Sequence, residues 1–125
     1  MRIVDTSLFV EAERRNVQAL QRIADLLEAD ELAVAAVTVF ELLRSPTLPE
    51  PWRRFYDVLF SSVPVLPVTR ASAERAAAAA ASLGRDVKAP DALIAGVALE
   101  NDLPITAVDA GFAGLAPDVE LVRVS

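Results

Sequence analysis

Short apolar runs of strand type alternate along the chain with longer stretches in which apolar residues recur at helical spacing. Arg2-Ile3-Val4 reads as a short buried strand, and Asp5-Thr6-Ser7 as a polar turn into a helical stretch over 8–15. Asn16 is placed to cap a second helix, on which Val17, Leu20, Ile23, Leu26 and Leu27 keep the helical period. A second strand follows over 31–35, with Leu32 and Val34 towards the core. The spacing then predicts a helix over 39–44, stopped by Ser45-Pro46, a loop over 47–51 and a further helix over 52–60. A third strand over 63–68 contains Pro64 and Pro67, which bring no ladder donor, so it belongs towards a sheet edge.

Thr69 opens an alanine-rich helix over 71–83, with Gly84 as its C′ residue. The run of alanines over 76–81 favours helix and close helix packing and carries no chemistry. Pro90-Asp91 starts another helix over 92–100, Pro90 suiting a first helical turn. A strand over 103–107, a helical turn over 110–115 and a strand over 120–124 complete the pattern. Strands alternating with helices predict an α/β fold, a mostly parallel sheet with helices on both faces. No repeat or linker interrupts it, and residues 1–125 are expected to form one domain.

Composition narrows the chemistry more than the fold. With 54% hydrophobic and 24% charged residues, the chain has the make-up of a packed globular protein. Its apolar stretches are broken well short of the roughly 20 residues of a membrane span. Met1-Arg2 runs straight into the first strand, without the regions of a signal peptide, so a soluble, cytoplasmic protein is expected. The absence of cysteine excludes disulfides and thiol nucleophiles, and the absence of histidine excludes Ser-His and Cys-His sites. Oxygen ligands remain, which favours Mg²⁺ or Mn²⁺ over zinc or copper. A net charge of −6 argues against nucleic-acid binding by bulk electrostatics, unless carboxylates converge on divalent cations that reverse the local field.

Four acids invite such a site, and each has a structural explanation beside the chemical one. Asp5 follows a strand and precedes a helix, at the edge where open α/β sheets bind ligands, yet it is equally suited to cap that helix. Glu41, three residues after Thr38, matches a capping box, although Phe40, Leu42 and Leu43 make its surroundings apolar. Asp91 lies in a first helical turn, where the macrodipole favours negative charge whatever the function. Asp109 follows a strand and precedes a helical turn, which capping or an Asx-turn explains. In a parallel sheet such junctions gather at one edge, and four carboxylates there would repel one another unless one or two Mg²⁺ ions neutralised them. Asp25, Glu28, Asp30, Glu31, Glu74 and Glu100 read as solvated surface.

Ile3-Val4-Asp5-Thr6-Ser7, Phe40-Glu41-Leu42-Leu43, Pro90-Asp91-Ala92-Leu93-Ile94-Ala95 and Asp109-Ala110-Gly111-Phe112, in this order, resemble the motifs of the PIN-domain nucleases, and in particular of the VapC toxins of toxin–antitoxin pairs. The likeness spans essentially the whole chain. The fourth motif departs from the common pattern, since Ala107 stands where a threonine is usual and Thr106 comes one position early. The resemblance implies a three-layer α/β/α sandwich, commonly a homodimer, that cleaves RNA with Mg²⁺ or Mn²⁺ and is covered by a VapB-like antitoxin. It implies that Asp5, Glu41, Asp91 and Asp109 form the acidic metal-binding and catalytic cluster, supported by a hydroxyl from Thr6 or Ser7.

The chemistry agrees with the residues. Phosphodiester hydrolysis needs an activated water and a stabilised leaving oxygen, which metal ions held by carboxylates supply without histidine. Phosphate contacts are expected from Arg14, Arg15, Arg44, Arg85 or Lys88, near the site-bearing segments. Two rival readings stand beside this one. A phosphatase with an aspartate nucleophile would use Asp5 but wants a second acid two residues on, where this chain has Ser7. A catalytically inactive PIN-like domain that binds RNA or protein is the other.

Overall fold

In a computed structural model that describes residues 1–124, five strands form one sheet in the order β3-β2-β1-β4-β5: β1 is Arg2–Val4, β2 Leu32–Ala35, β3 Val65–Leu66, β4 Ile105–Ala107 and β5 Val119–Leu121. Every neighbouring pair is parallel, with Ile3 opposite Ala33 on one side and Ile105 on the other. Period-two alternation sends Val4, Leu32 and Val34 to one face and Ile3, Ala35, Ile105 and Ala107 to the other. Because both faces are covered, strands of two to four residues suffice.

The first face packs on α1 (Thr6–Glu13), α2 (Val17–Glu28), α3 (Ala36–Leu43) and α4 (Glu50–Ser62), around Leu8, Phe9, Ile23, Leu26 and Tyr56. The second packs on α5 (Arg70–Ser82) and α6 (Ala89–Asn101), around Ile94, Val97 and Phe112. The result is the parallel sheet with helices on both faces that the pattern predicts, and the three-layer α/β/α sandwich that the resemblance implies. The alanine-rich α5 lies tightly on α6: a Cβ at Gly96 would stand 2.1 Å from the Ser72 carbonyl oxygen, so only glycine permits this approach. No helix among the described residues is long and apolar enough to cross a membrane.

Departures from the pattern have local causes. α1 begins at Thr6, because Asp5 caps it by accepting from the Ser7 amide. α3 begins at Ala36 with no side-chain cap, which puts Thr38 inside the helix, so the capping box expected from Thr38 to Glu41 does not form. α4 takes in Glu50 and Pro51, since proline fits a first helical turn. Pro64 and Pro67 bracket β3 and shorten it to two residues at the sheet edge. The turn after β4 is a single 3₁₀ turn, Ala110–Phe112, and β5 is Val119–Leu121 where 120–124 was expected. On α2 only Ile23 and Leu26 of the five apolar positions are buried, whereas Val17, Leu20 and Leu27 stay exposed. Gly84 ends α5 in the left-handed conformation expected of it, at φ +65°.

Candidate active site

Chain order runs outward from β1 to β2 and β3, then returns to β4 on the other side of β1, so the strand order reverses between β1 and β4. Such a reversal leaves a crevice beyond the carboxyl ends of the two strands. Asp5 follows β1 there, its amide bonded to the Thr106 carbonyl of β4 at 2.9 Å, and Asp109 follows β4. Glu41 comes from α3, which leaves the end of β2, and Asp91 from the first turn of α6. All four line one open cleft of about 550 Å³, together with Thr6, Ser7, Glu11, Arg14, Lys88 and Pro90.

For Asp5 and Asp109 the capping explanation and the convergence both hold. Asp5 is 2% exposed; its Oδ2 accepts from the Ser7 amide at 3.0 Å, while Oδ1 is buried with no hydrogen-bond partner among the described residues. Asp109 is exposed, and its Oδ1 accepts from the Gly111 amide at 2.9 Å. Glu41 is held from α1: Thr6 Oγ1 donates to Glu41 Oε1 at 2.7 Å and stands 3.1 Å from Thr38 Oγ1. Phe40 is 65% exposed, so the apolar surroundings expected for Glu41 are met only by the buried Leu42 and half-buried Leu43. Ser7 Oγ accepts from the Val108 and Asp109 amides at 3.0 and 3.2 Å, tying the loop after β4 to α1.

The charges are felt electrostatically. Burial pushes the Asp91 carboxyl up to about 6, and the neighbouring charges of Asp5, Asp109 and Glu41 add to the rise while Lys88 opposes it. Burial also raises Asp5, helped by Glu41 and opposed by hydrogen bonds from Ser7 and Thr6. Gly111 sits against two of the acids: a Cβ there would be 2.6 Å from Asp91 Oδ2 and 3.2 and 3.3 Å from the Asp109 oxygens.

Of the five basic residues expected near the site, Arg14 and Lys88 line the cleft. The others do not. Arg44 lies over the Phe40 ring, 5.9 Å from its centroid, in a neighbouring groove. Arg85 donates to the Gly111 and Ala113 carbonyls, clamping the 3₁₀ turn. Arg15 takes a positive φ at the end of α1 and is absent from the lining. Glu11 escaped sequence reasoning; it lines the cleft and pairs with Arg14 at 3.1 Å. Its spacing from Ser7 and Arg14 on one helix face was the available signal. Glu100, read as plain surface, is half-buried and accepts from the Thr69 hydroxyl at the start of α5.

An all-oxygen donor set, an unpartnered buried carboxylate oxygen on Asp5 and the missing Cβ at Gly111 fit a hard divalent cation such as Mg²⁺ or Mn²⁺. Among the described residues no three acidic side chains are drawn into a preformed metal-binding group. Four like charges at this edge repel, and closing them requires a counter-charge.

The family model described as PIN domain matches residues 2–116. Among solved structures, the chain is similar to a member of the VapBC family of toxin–antitoxin systems, VapBC-5 from Mycobacterium tuberculosis, at 31% identity over 98% of both chains and a TM-score of 0.64. It is similar in fold to VapBC2 from Rickettsia felis bound to a DNA fragment from their promoter, at 15% identity over 98% of both chains and a TM-score of 0.79. A third likeness is to FitAcB from Neisseria gonorrhoeae, at 22% identity over 96% of both chains and a TM-score of 0.74. No curated protein sequence matches the chain.

Proposed function

The chain belongs to the PIN domain family, and from that premise we propose that it is a metal-dependent endoribonuclease, the toxin of a VapBC-type pair, working in the cytoplasm. The observation that carries this reading is the meeting of Asp5, Glu41, Asp91 and Asp109, from four separate elements, in one cleft where a buried Asp5 oxygen is left unpaired among the described residues. Asp5, Glu41, Asp91 and Asp109 would hold Mg²⁺ or Mn²⁺. When bound, the cation supplies an activated water and neutralises charge on the phosphate and the leaving oxygen.

The chain's own residues prepare this. Thr6 fixes the carboxylate of Glu41 through its hydroxyl, so that oxygen keeps one orientation. Ser7 holds the amides of Val108 and Asp109, and with them the position of Asp109. Asp91, raised to about 6, is ionised near neutral pH and can take part in orienting an attacking water. Arg14 and Lys88 at the rim would contact the phosphates of an RNA strand. The occupied Ser7 also speaks against the phosphatase alternative: at the position of a second acid stands a hydroxyl engaged by two backbone amides. A VapB-like antitoxin is proposed on the likeness to the Mycobacterium tuberculosis VapBC-5 structure, and a homodimer on the resemblance of the chain's motifs to the VapC toxins.

The test is cleavage of RNA by purified protein with Mg²⁺ or Mn²⁺. Asp5→Asn and Asp91→Asn proteins are expected to fold and to lose cleavage. Equal cleavage in EDTA would exclude the metal mechanism, and full function in Asp5→Asn would favour the non-catalytic reading.

A further inference from the structure

Asp109 is an exposed member of the acidic cluster, and it comes from the loop after β4, whose regular part is the single 3₁₀ turn Ala110–Phe112. Phe112 is fully buried in the core between the sheet and α6, which sets the depth of that turn. Two side chains from other elements hold its flanks. From α1, Ser7 Oγ accepts from the Val108 and Asp109 amides. From the loop between α5 and α6, Arg85 Nη2 donates to the Gly111 carbonyl at 3.3 Å and to the Ala113 carbonyl at 2.9 Å. Gly111 therefore has its amide on the Asp109 carboxylate and its carbonyl on Arg85. Arg85 does not line the cleft, and no salt bridge among the described residues includes it.

We propose that Arg85 is a positioning residue of the acidic site, holding the turn after β4 where the Asp109 carboxylate meets that of Asp91. The inference rests on the metal-binding cluster of the reading above and asks nothing of the substrate. The loop that carries Arg85 runs directly into α6, which begins at Ala89 and bears Asp91 in its first turn. The two hydrogen bonds thus join the segment that presents Asp91 to the segment that presents Asp109. Such a tie is needed because the two carboxylates repel, the charge of Asp109 being among those that act on Asp91. An exposed acid on a short loop relieves that repulsion by swinging into solvent; a loop fastened from both flanks does not. The close approach of Gly111 to Asp91 Oδ2, where a Cβ would stand at 2.6 Å, also depends on the orientation of this turn. A planar guanidinium presents its donors at fixed angles, which suits two carbonyls on one turn.

The experiment measures Mn²⁺ binding to the full chain through the EPR signal of free Mn²⁺, in wild type, Arg85→Met, Asp109→Asn and the double variant. Arg85 is exposed and leaves no ion partner behind, so Arg85→Met is expected to fold. Its dissociation constant for Mn²⁺ should rise about tenfold, the low end of what losing a group that orients a ligand costs. Amide exchange at residue 111 should quicken in the metal-free variant. Asp109→Asn should weaken binding at least as much, and the double variant should match Asp109→Asn within about twofold, because Arg85 then has no ligand left to place. A general structural loss would instead weaken the double variant by a further tenfold, which overturns the proposal. Unchanged Mn²⁺ affinity in Arg85→Met beside a saturable wild type also overturns it and leaves the metal cluster standing. No saturable Mn²⁺ binding by wild type overturns both the cluster and the role of Arg85.

Discussion

The hydroxyl of Thr6 donates to Glu41 Oε1 at 2.7 Å, joining the first turn of α1 to the middle of α3 across the mouth of the cleft. One carboxylate of the cluster is thereby oriented by a neighbour that bears no charge. Thr6→Val keeps the side-chain shape and removes the donor. A loss of about 1 kcal/mol in stability is expected from the hydrogen bond. Because Glu41 then turns freely, RNA cleavage should fall by about tenfold in kcat with KM little changed, and Thr6→Ser should restore it. Denaturant melts and steady-state kinetics read both effects; a Thr6→Val enzyme with full kcat would show that the orientation of Glu41 is immaterial.

Ser7 carries a structural burden that its neighbour does not. Its Oγ accepts from the amides of Val108 and Asp109, and alanine leaves both amides without that acceptor. Ser7→Ala is expected to cost about 1–3 kcal/mol. The loop after β4 should loosen with it, seen as faster amide exchange at residues 108 and 109. Unchanged exchange there would mean that other contacts hold the loop.

Much of this is legible from the residues, and the parts that are not share a cause. Local signals place Asp5 and Asp109 at strand ends and Asp91 in a first turn, because each depends on its immediate neighbours in sequence. Glu41 reads as half of a capping box with Thr38, but its partner is Thr6, 35 residues away. No periodicity reports a contact at that separation. Arg44 and Arg85 are near the site in sequence and are turned away from it, one over Phe40 and one onto the turn at Gly111. The strand flanked by Pro64 and Pro67 does lie at an edge, since a missing amide donor is a local fact. Thr106, one position off the usual motif, is buried on the sheet face with Arg2 and Glu120, accepting from Arg2 Nε at 2.8 Å and donating to Glu120 at 3.0 Å.

The raised Asp91 carboxyl sets a pH dependence of definite sign. With a folded-state value of about 6 against an ordinary 3.8, the folded protein binds more protons than the unfolded chain between those values. Stability therefore falls as pH rises through that window, by the contribution of this group. In EDTA, Asp91→Asn should match wild type near pH 3.5 and become progressively more stable than wild type up to about pH 6.5. Urea melts across the range measure the difference, and a constant difference would mean that neither burial nor the other carboxylates raise Asp91.

Divalent binding should reverse that penalty. An ion that binds only the folded state stabilises by mass action, about 2.7 kcal/mol at one hundred times its dissociation constant. Mn²⁺ titration at pH 7 is expected to raise the melting temperature saturably in wild type and by much less in Asp5→Asn. A shift of equal size in both proteins would place the ion elsewhere.

Gly111 offers the sharpest separation of site from fold. Its φ is not positive, so alanine is compatible with the backbone. Such a replacement ordinarily stabilises by about 0.4–1 kcal/mol by restricting the unfolded chain. The new Cβ, however, would stand 2.6 Å from Asp91 Oδ2 and 3.2 Å from Asp109 Oδ1, so both carboxylates must move. Gly111→Ala is expected to fold with near-native stability while its Mn²⁺-induced shift and its RNA cleavage drop by at least about tenfold. Gly84→Ala supplies the contrast, since at φ +65° with nothing within 4 Å it strains the backbone and touches no acid. That variant should lose about 1 kcal/mol and keep its metal response. If Gly111→Ala instead retains the metal response, the carboxylates of Asp91 and Asp109 do not act together on the ion, and the cluster contracts to Asp5 and Glu41 with one of the two.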